Sequence, residues 1–204
     1  MQKKNIQCTV GILTYNSAKH LARCLESVGD FCEVLISDGG SSDETLQIAK
    51  EYGCRIIQQS NPGHPIENFS TERNRMIEAA HYDWFFYIDS DEIASQELIK
   101  NIREIVGVDE KSHFTSVYRT FREYYQPRFF NRTSGARFIR SIHERISWNE
   151  KKYSAGRIEG AWYVELGADY FSITTLLKEI RRQKLLVASW QPSGARDVVF
   201  RVTV

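Results

Sequence analysis

Between residues 8 and 106 the chain repeats one pattern four times: a short apolar run, a polar loop, then apolar residues at helical spacing. Residues 8–13, 33–37, 55–59 and 84–88 read as strands. Leu21, Cys24, Leu25 and Val28 recur at the spacing of a first helix, with Gly29 behind them. Residues 44–52 give a second helix, which Gly53 is placed to end. Phe69, Met76, Ile77 and Ala80 share a face of a third, after a loop at 60–67 that holds Pro62, Gly63 and Pro65. Leu98, Ile102 and Ile105 mark a fourth. Strands alternating with helices require an α/β fold, a mostly parallel Rossmann-like sheet flanked by helices. In such sheets ligands bind beyond the carboxyl ends of the strands.

Three polar clusters fall at those ends: Thr14-Tyr15-Asn16, residues 38–43, and Asp89-Ser90-Asp91-Glu92. The last follows the aromatic run Trp84-Phe85-Phe86-Tyr87. A buried strand cannot hide unpaired charge, so the acids are expected where the strand ends and the core opens. Two aspartates one residue apart can hold a divalent cation, and hard oxygen ligands suit Mn²⁺ or Mg²⁺. Taken alone, Asp89 and Asp91 read equally well as loop acids ahead of a helix. The convergence of three clusters favours the metal. Glu92 is expected only to favour the start of the next helix.

Asp38, beside Gly39 and Gly40, can accept a hydrogen bond from a nucleobase N–H, with the glycines admitting a ligand closely. Thr14, Tyr15 and Asn16 supply a hydroxyl, a ring and an amide. Together these describe a nucleotide-diphosphate pocket. Neither Gly-x-x-x-x-Gly-Lys-Ser/Thr nor Gly-x-Gly-x-x-Gly occurs, so the phosphates would depend on a metal and not on a glycine cradle.

After residue 107 the pattern changes. Residues 114–121 and 127–130 look like strands, and residues 198–204 are strand-like without an obvious partner. Arg128, Arg132, Arg137, Arg140 and Arg145 interleave with Phe129, Phe130 and Phe138. They read either as solvated strand edges or as a cationic wall for an anionic ligand. In residues 173–184, Ile173, Leu176, Leu177 and Ile180 face away from Lys178, Arg181, Arg182 and Lys184. That is a surface helix or a weak dock on an anionic membrane. Residues 1–106 and 107–204 thus read as two halves of one domain, which the resemblance described next implies are the donor-binding and the acceptor-side half. A net charge of +1 over 204 residues gives no general pull toward nucleic acid. Four cysteines without a Cys-x-x-Cys pair fit reduced thiols. With no leader-like or membrane-spanning apolar run, a cytoplasmic location is expected, with residues 173–184 as the peripheral membrane contact.

Residues 10–16 (Val-Gly-Ile-Leu-Thr-Tyr-Asn), 37–45 (Ser-Asp-Gly-Gly-Ser-Ser-Asp-Glu-Thr) and 88–92 (Ile-Asp-Ser-Asp-Glu) resemble three signatures of family 2 glycosyltransferases with the GT-A fold. Thr71-Glu72-Arg73-Asn74 and Ser141-Ile142-His143-Glu144-Arg145 resemble two further blocks, found in bacterial members that build lipopolysaccharide core or other cell-surface glycans. The likeness covers about residues 7–146, with the motifs in order. It implies inverting transfer of a sugar from a nucleotide diphosphate donor, usually a UDP-sugar, to a glycan or lipid-linked acceptor. By motif match, Thr14, Tyr15 and Asn16 would line the nucleoside and Asp38 would read the base. Asp89 would lie between ribose and metal, Asp91 would bind the metal, and Arg73 and Asn74 would help close the donor site. The chain has Asp38-Gly39-Gly40 where many members have two acids and a glycine, so one acid near the base is lost.

Inversion needs a general base outside the donor clusters. Glu123, His143, Glu144 and Glu159 are candidates. Glu144 is the expected base and His143 the expected metal or phosphate contact. Two other readings share parts of this pattern: a sugar nucleotidyltransferase, and a degenerate domain that binds nucleotide as a scaffold.

Overall fold

A computed structural model describes residues 5–108, 113–119, 124–149, 154–165 and 198–200. The first half runs β1 (Ile6–Thr14), α1 (Ala18–Ser27), β2 (Phe31–Asp38), α2 (Thr45–Glu51), β3 (Arg55–Gln58), α3 (Phe69–Ala79), β4 (Trp84–Tyr87), β5 (Glu92–Ala94) and α4 (Gln96–Gly107). The second half runs β6 (His113–Arg119), β7 (Tyr124–Asn131), a 3-10 turn (Arg132–Ser134), β8 (Arg137–Ile139), β9 (Arg145–Ser147), β10 (Ser154–Glu165) and β11 (Val198–Phe200). The four strand–helix repeats are those expected from the sequence.

Strand β1 pairs in parallel with both β2 and β4, and β2 with β3. The order is therefore β3-β2-β1-β4, and it reverses between β1 and β4. Chains that leave one sheet in opposite directions open a crevice at that point. The Thr14 and Asp89 loops flank it.

One sheet continues through both halves. Strand β7 pairs antiparallel with β4, setting Phe85 opposite Phe130 and Phe86 opposite Phe129. Strands β6, β10 and β11 extend the sheet beyond it. The strand-like tail does have a partner, because Val198–Phe200 lies parallel to Gly156–Ile158 of β10. The segment 173–184 lies outside the described residues. Among the described residues no helix is long and apolar enough to cross a membrane.

Alternation along the central strands divides the core. Val10, Ile12, Phe86 and Ile88 pack with Leu21 and Leu25 of α1 and Leu98 and Ile102 of α4. Leu35, Phe85, Tyr87 and Phe130 pack with Met76 and Ile77 of α3 and with Phe138. Gly11 is forced by this second layer, since a Cβ there would sit 2.4 Å from the Phe85 ring. The split places Tyr87 beneath α3, which matters for the site. All four cysteines are free, and burial pushes the Cys8 and Cys24 thiols up, as expected of inert core thiols.

Glu92 departs from expectation. It belongs to the short strand β5, which pairs antiparallel with β10, and it is fully buried. Helix α4 is capped instead by Ser95, whose Oγ accepts the Leu98 N–H at 3.1 Å.

Candidate active site

The loops after β1 and β2 are laced together by Asp38. Its Oδ1 accepts from Thr14 Oγ1 at 2.8 Å and Ser41 Oγ at 2.6 Å. Its Oδ2 accepts from the Gly40 and Ser41 backbone at 2.9 and 2.8 Å. A carboxylate has about four acceptor positions, so protein donors fill this one. Asp38 therefore ties the two loops together, at the position the sequence reads as an acceptor for a nucleobase N–H. Thr14 is buried and spends its hydroxyl on the same carboxylate.

Asn16 takes a left-handed backbone (φ 48°) and accepts the Ser42 N–H on Oδ1 at 2.9 Å, while Ser41 Oγ accepts its own N–H. Asp43 accepts from Ala18 N at the start of α1 and from Thr45. The Thr45 hydroxyl holds the Asp43 carboxyl below the ordinary carboxylate range. Tyr15 is left as the exposed ring of this shelf, with 56% of its surface open.

The two glycines serve the protein's own packing. A Cβ on Gly39 would lie 2.9 Å from Gln59 Oε1 and 3.2 Å from the Tyr15 ring. Gly40 has φ +91°, and a Cβ there would press on the Gly63 backbone at 2.9 Å. Gln59, buried and bonded to the Ser37 carbonyl at 2.9 Å, carries no motif that would single it out in sequence.

At the other side of the crevice Tyr87 lies between two guanidinium groups, Arg73 at 4.7 Å and Arg128 at 4.5 Å from the ring centre. Arg73 donates to Asp89 Oδ1 at 2.9 Å and to Glu144 Oε1 at 2.6 Å. Burial would lower the Arg73 pKa, but Asp89, Tyr87 and Glu144 outweigh it and the net direction is up. Arg128 lies 3.1 Å from Glu92 Oε1 and 3.7 Å from Asp89 Oδ2. Glu92 Oε2 in turn accepts the Asp89 backbone N–H at 2.8 Å.

The three acids thus differ. Glu92 is an internal partner, and Asp89 is gripped from both sides while its side chain stays 37% exposed. Asp91 is half-buried and makes no hydrogen bond or ion pair with the described residues. Arg128 directly precedes the apolar pair Phe129-Phe130 in a strand. A buried cation needs an acid, so that placement is the signal by which the Glu92–Arg128 pair could have been found.

Helix α3 clamps the β8–β9 hairpin onto the same side. Asn74 donates to the Phe138 carbonyl at 2.9 Å and accepts the Phe138 N–H at 2.8 Å. The Phe69 N–H reaches the Ser141 carbonyl at 2.9 Å, and the Ser70 hydroxyl bonds to the Arg140 carbonyl. Asn74, expected beside the donor, has both ends of its amide engaged here. Glu144 points inward to Arg73, whereas His143 is exposed with φ 53°.

The arginines do not form one wall: Arg128 is buried, Arg132 bonds to the Tyr82 carbonyl, and Arg137, Arg140 and Arg145 are exposed. Glu123 lies outside the described residues, and Glu159 falls in β10.

Among the described residues no three His, Cys, Asp or Glu side chains gather as a metal-binding group. A Mg²⁺- or Mn²⁺-type cation can be held by one or two carboxylates with substrate phosphates completing its shell. Asp91, bound by no donor among the described residues, with Asp89 two residues before it, fits that mode.

The sequence model described as Glycosyl transferase family 2 matches residues 9–163. The chain is 31% identical over 145 residues to the SPbeta prophage-derived glycosyltransferase SunS of Bacillus subtilis, covering 67% of this chain and 34% of that protein. It is 31% identical over 104 residues to the poly(ribitol-phosphate) beta-N-acetylglucosaminyltransferase TarS of Staphylococcus aureus, covering 46% of this chain and 18% of that protein. The chain therefore spans about a third of the length of SunS and less of TarS. In fold it is similar to TarS 1-349 in complex with UDP-GlcNAc, at TM-score 0.61 and 15% identity, over 92% of this chain and 68% of that one. It is equally similar to the mannosyltransferase PcManGT of Pyrobaculum calidifontis in complex with GDP-Man and Mn²⁺, at TM-score 0.61 and 11% identity, over 93% and 66% of the two chains. The fold is GT-A, and the chain belongs to glycosyltransferase family 2.

Proposed function

We propose that the protein is an inverting, metal-dependent glycosyltransferase that moves a sugar from a UDP-sugar to a glycan or lipid-linked acceptor. The observation that carries this is the crevice between β1 and β4. It sets an exposed aromatic ring on one side and, on the other, the carboxylate of Asp91, which has no partner among the described residues. Similarity to a protein named as a beta-N-acetylglucosaminyltransferase, and to structures in complex with UDP-GlcNAc or GDP-Man, supports a nucleotide-sugar donor.

Tyr15 offers its ring to the base, and Asn16 and Asp38 hold the loops that carry it. Asp91, with Asp89 beside it, would hold Mn²⁺ or Mg²⁺, whose charge offsets that developing on the leaving diphosphate. Glu144 takes the proton of the acceptor hydroxyl as that oxygen bonds to the anomeric carbon and the bond to the diphosphate breaks on the opposite face. Arg73 fixes the direction of Glu144 through Nε. His143, on the exposed hairpin tip, would be the metal or phosphate contact.

Slow donor hydrolysis tests this without an acceptor. The wild type should release UDP from a UDP-sugar when Mn²⁺ is present, and a chelator or Asp91→Ala should stop it. Release that persists in both would remove the metal-dependent reading.

A further inference from the structure

Arg128 and Glu92 are the deepest charges near the crevice, with side chains 2% and 0% exposed. A buried ion pair is a poor device for stability alone, because apolar residues of similar volume often serve as well or better. This pair stands directly behind the turn that carries the metal-site aspartates. Glu92 closes that turn twice: its N–H donates to the Asp89 carbonyl at 3.0 Å, and its Oε2 accepts the Asp89 N–H at 2.8 Å. Arg128 then fixes Glu92 from the neighbouring strand β7. Its own direction is set by Gln126, at 3.1 Å from Nε, and by the Tyr87 ring. The same guanidinium attracts Asp89 Oδ2 at 3.7 Å.

We propose that Glu92 and Arg128 are positioning residues that hold the Asp89–Asp91 turn in the one conformation that presents Asp91 for a divalent cation. This rests on the donor reading above. Neither residue touches the ligand. Their contribution is a turn already in place before metal and diphosphate arrive, so that its ordering does not weaken binding.

The double variant Glu92→Gln, Arg128→Met tests this. The amide introduced by Glu92→Gln retains an acceptor for the Asp89 N–H, and the methionine introduced by Arg128→Met fills the arginine's space without charge. Calorimetric titration of UDP with and without Mn²⁺ is read beside a thermal melt. The expected result is a melting temperature at or above that of the wild type, with UDP affinity in Mn²⁺ weaker by about tenfold or more and metal-free affinity unchanged. A merely structural pair would move both affinities or lower the melt. Arg128→Lys, which retains the charge but loses the planar contacts, should fall between wild type and the double variant.

Either variant, folded and binding UDP in Mn²⁺ as tightly as the wild type, overturns the proposal, and so does failure of both to fold. A wild type whose UDP affinity ignores Mn²⁺ would instead remove the donor reading itself, and this proposal with it.

Discussion

At the residue scale, the acids of the crevice are distinguished by what already holds them. Asp38 accepts four protein hydrogen bonds, and we propose that it braces the loops of the crevice. Asp38→Asn turns one acceptor into a donor facing other donors in a buried place, which costs about 1–3 kcal/mol. Chemical denaturation should show that loss, with nucleotide affinity falling alongside it. A variant of wild-type stability that no longer binds nucleotide would mean that Asp38 faces the ligand after all. Motif position identified Asp38 and Asp91 in the sequence. It could not show which was committed, because the donors to Asp38 come from two loops, and Thr14 is 24 residues away.

Glu33 makes a second residue-scale case, at the opposite edge of the sheet. Burial would raise its pKa, but bonds from Thr9, the His81 N–H and Arg55 outweigh it and the carboxyl lies below its ordinary value of 4.5. A depressed carboxylate adds stability above its unfolded pKa and loses it as pH falls through the folded value. Acid unfolding should therefore be steeper below about pH 4.5 in the wild type than in Glu33→Gln. Parallel pH–stability curves for the two would contradict the assignment.

At the element scale, the four strand–helix repeats were readable because local apolar spacing alone determines them. The clamp between α3 and the β8–β9 hairpin was not, because Asn74 and Phe138 are 64 residues apart and no local pattern joins them. The Thr71–Asn74 block gave its position without its partner. Asn74→Ala should free the hairpin while the central strands stay protected. In hydrogen exchange, amides of 137–147 should exchange faster, those of β1 and β4 should not, and sugar transfer should drop more than donor affinity. Uniformly faster exchange would instead make Asn74 a general stability residue.

At the scale of the whole molecule, one sheet carries both sides of the site. Parallel β3-β2-β1-β4 supplies the loops proposed to bind the donor, and antiparallel β7, paired with β4, supplies the arginine that contacts Glu92 and Asp89 in one of them. The parallel part follows from strand–helix alternation. The mixed part does not, since β10 pairs with β5, β6 and β11, all distant in sequence. That is also why Glu92 reads as a helix-start acid until its strand partner is seen.

The central claim is that this crevice binds a nucleotide diphosphate through a metal held by Asp91. A thermal-shift titration of UDP and GDP, each with and without Mn²⁺, measures it most directly. At about 100-fold excess over the dissociation constant, binding should add about 2.7 kcal/mol of stability to the wild type. That gain should require Mn²⁺ and vanish in Asp91→Ala, while the unliganded variant melts like the wild type. A shift of equal size in Asp91→Ala, or no metal-dependent shift with either nucleotide, would contradict the account.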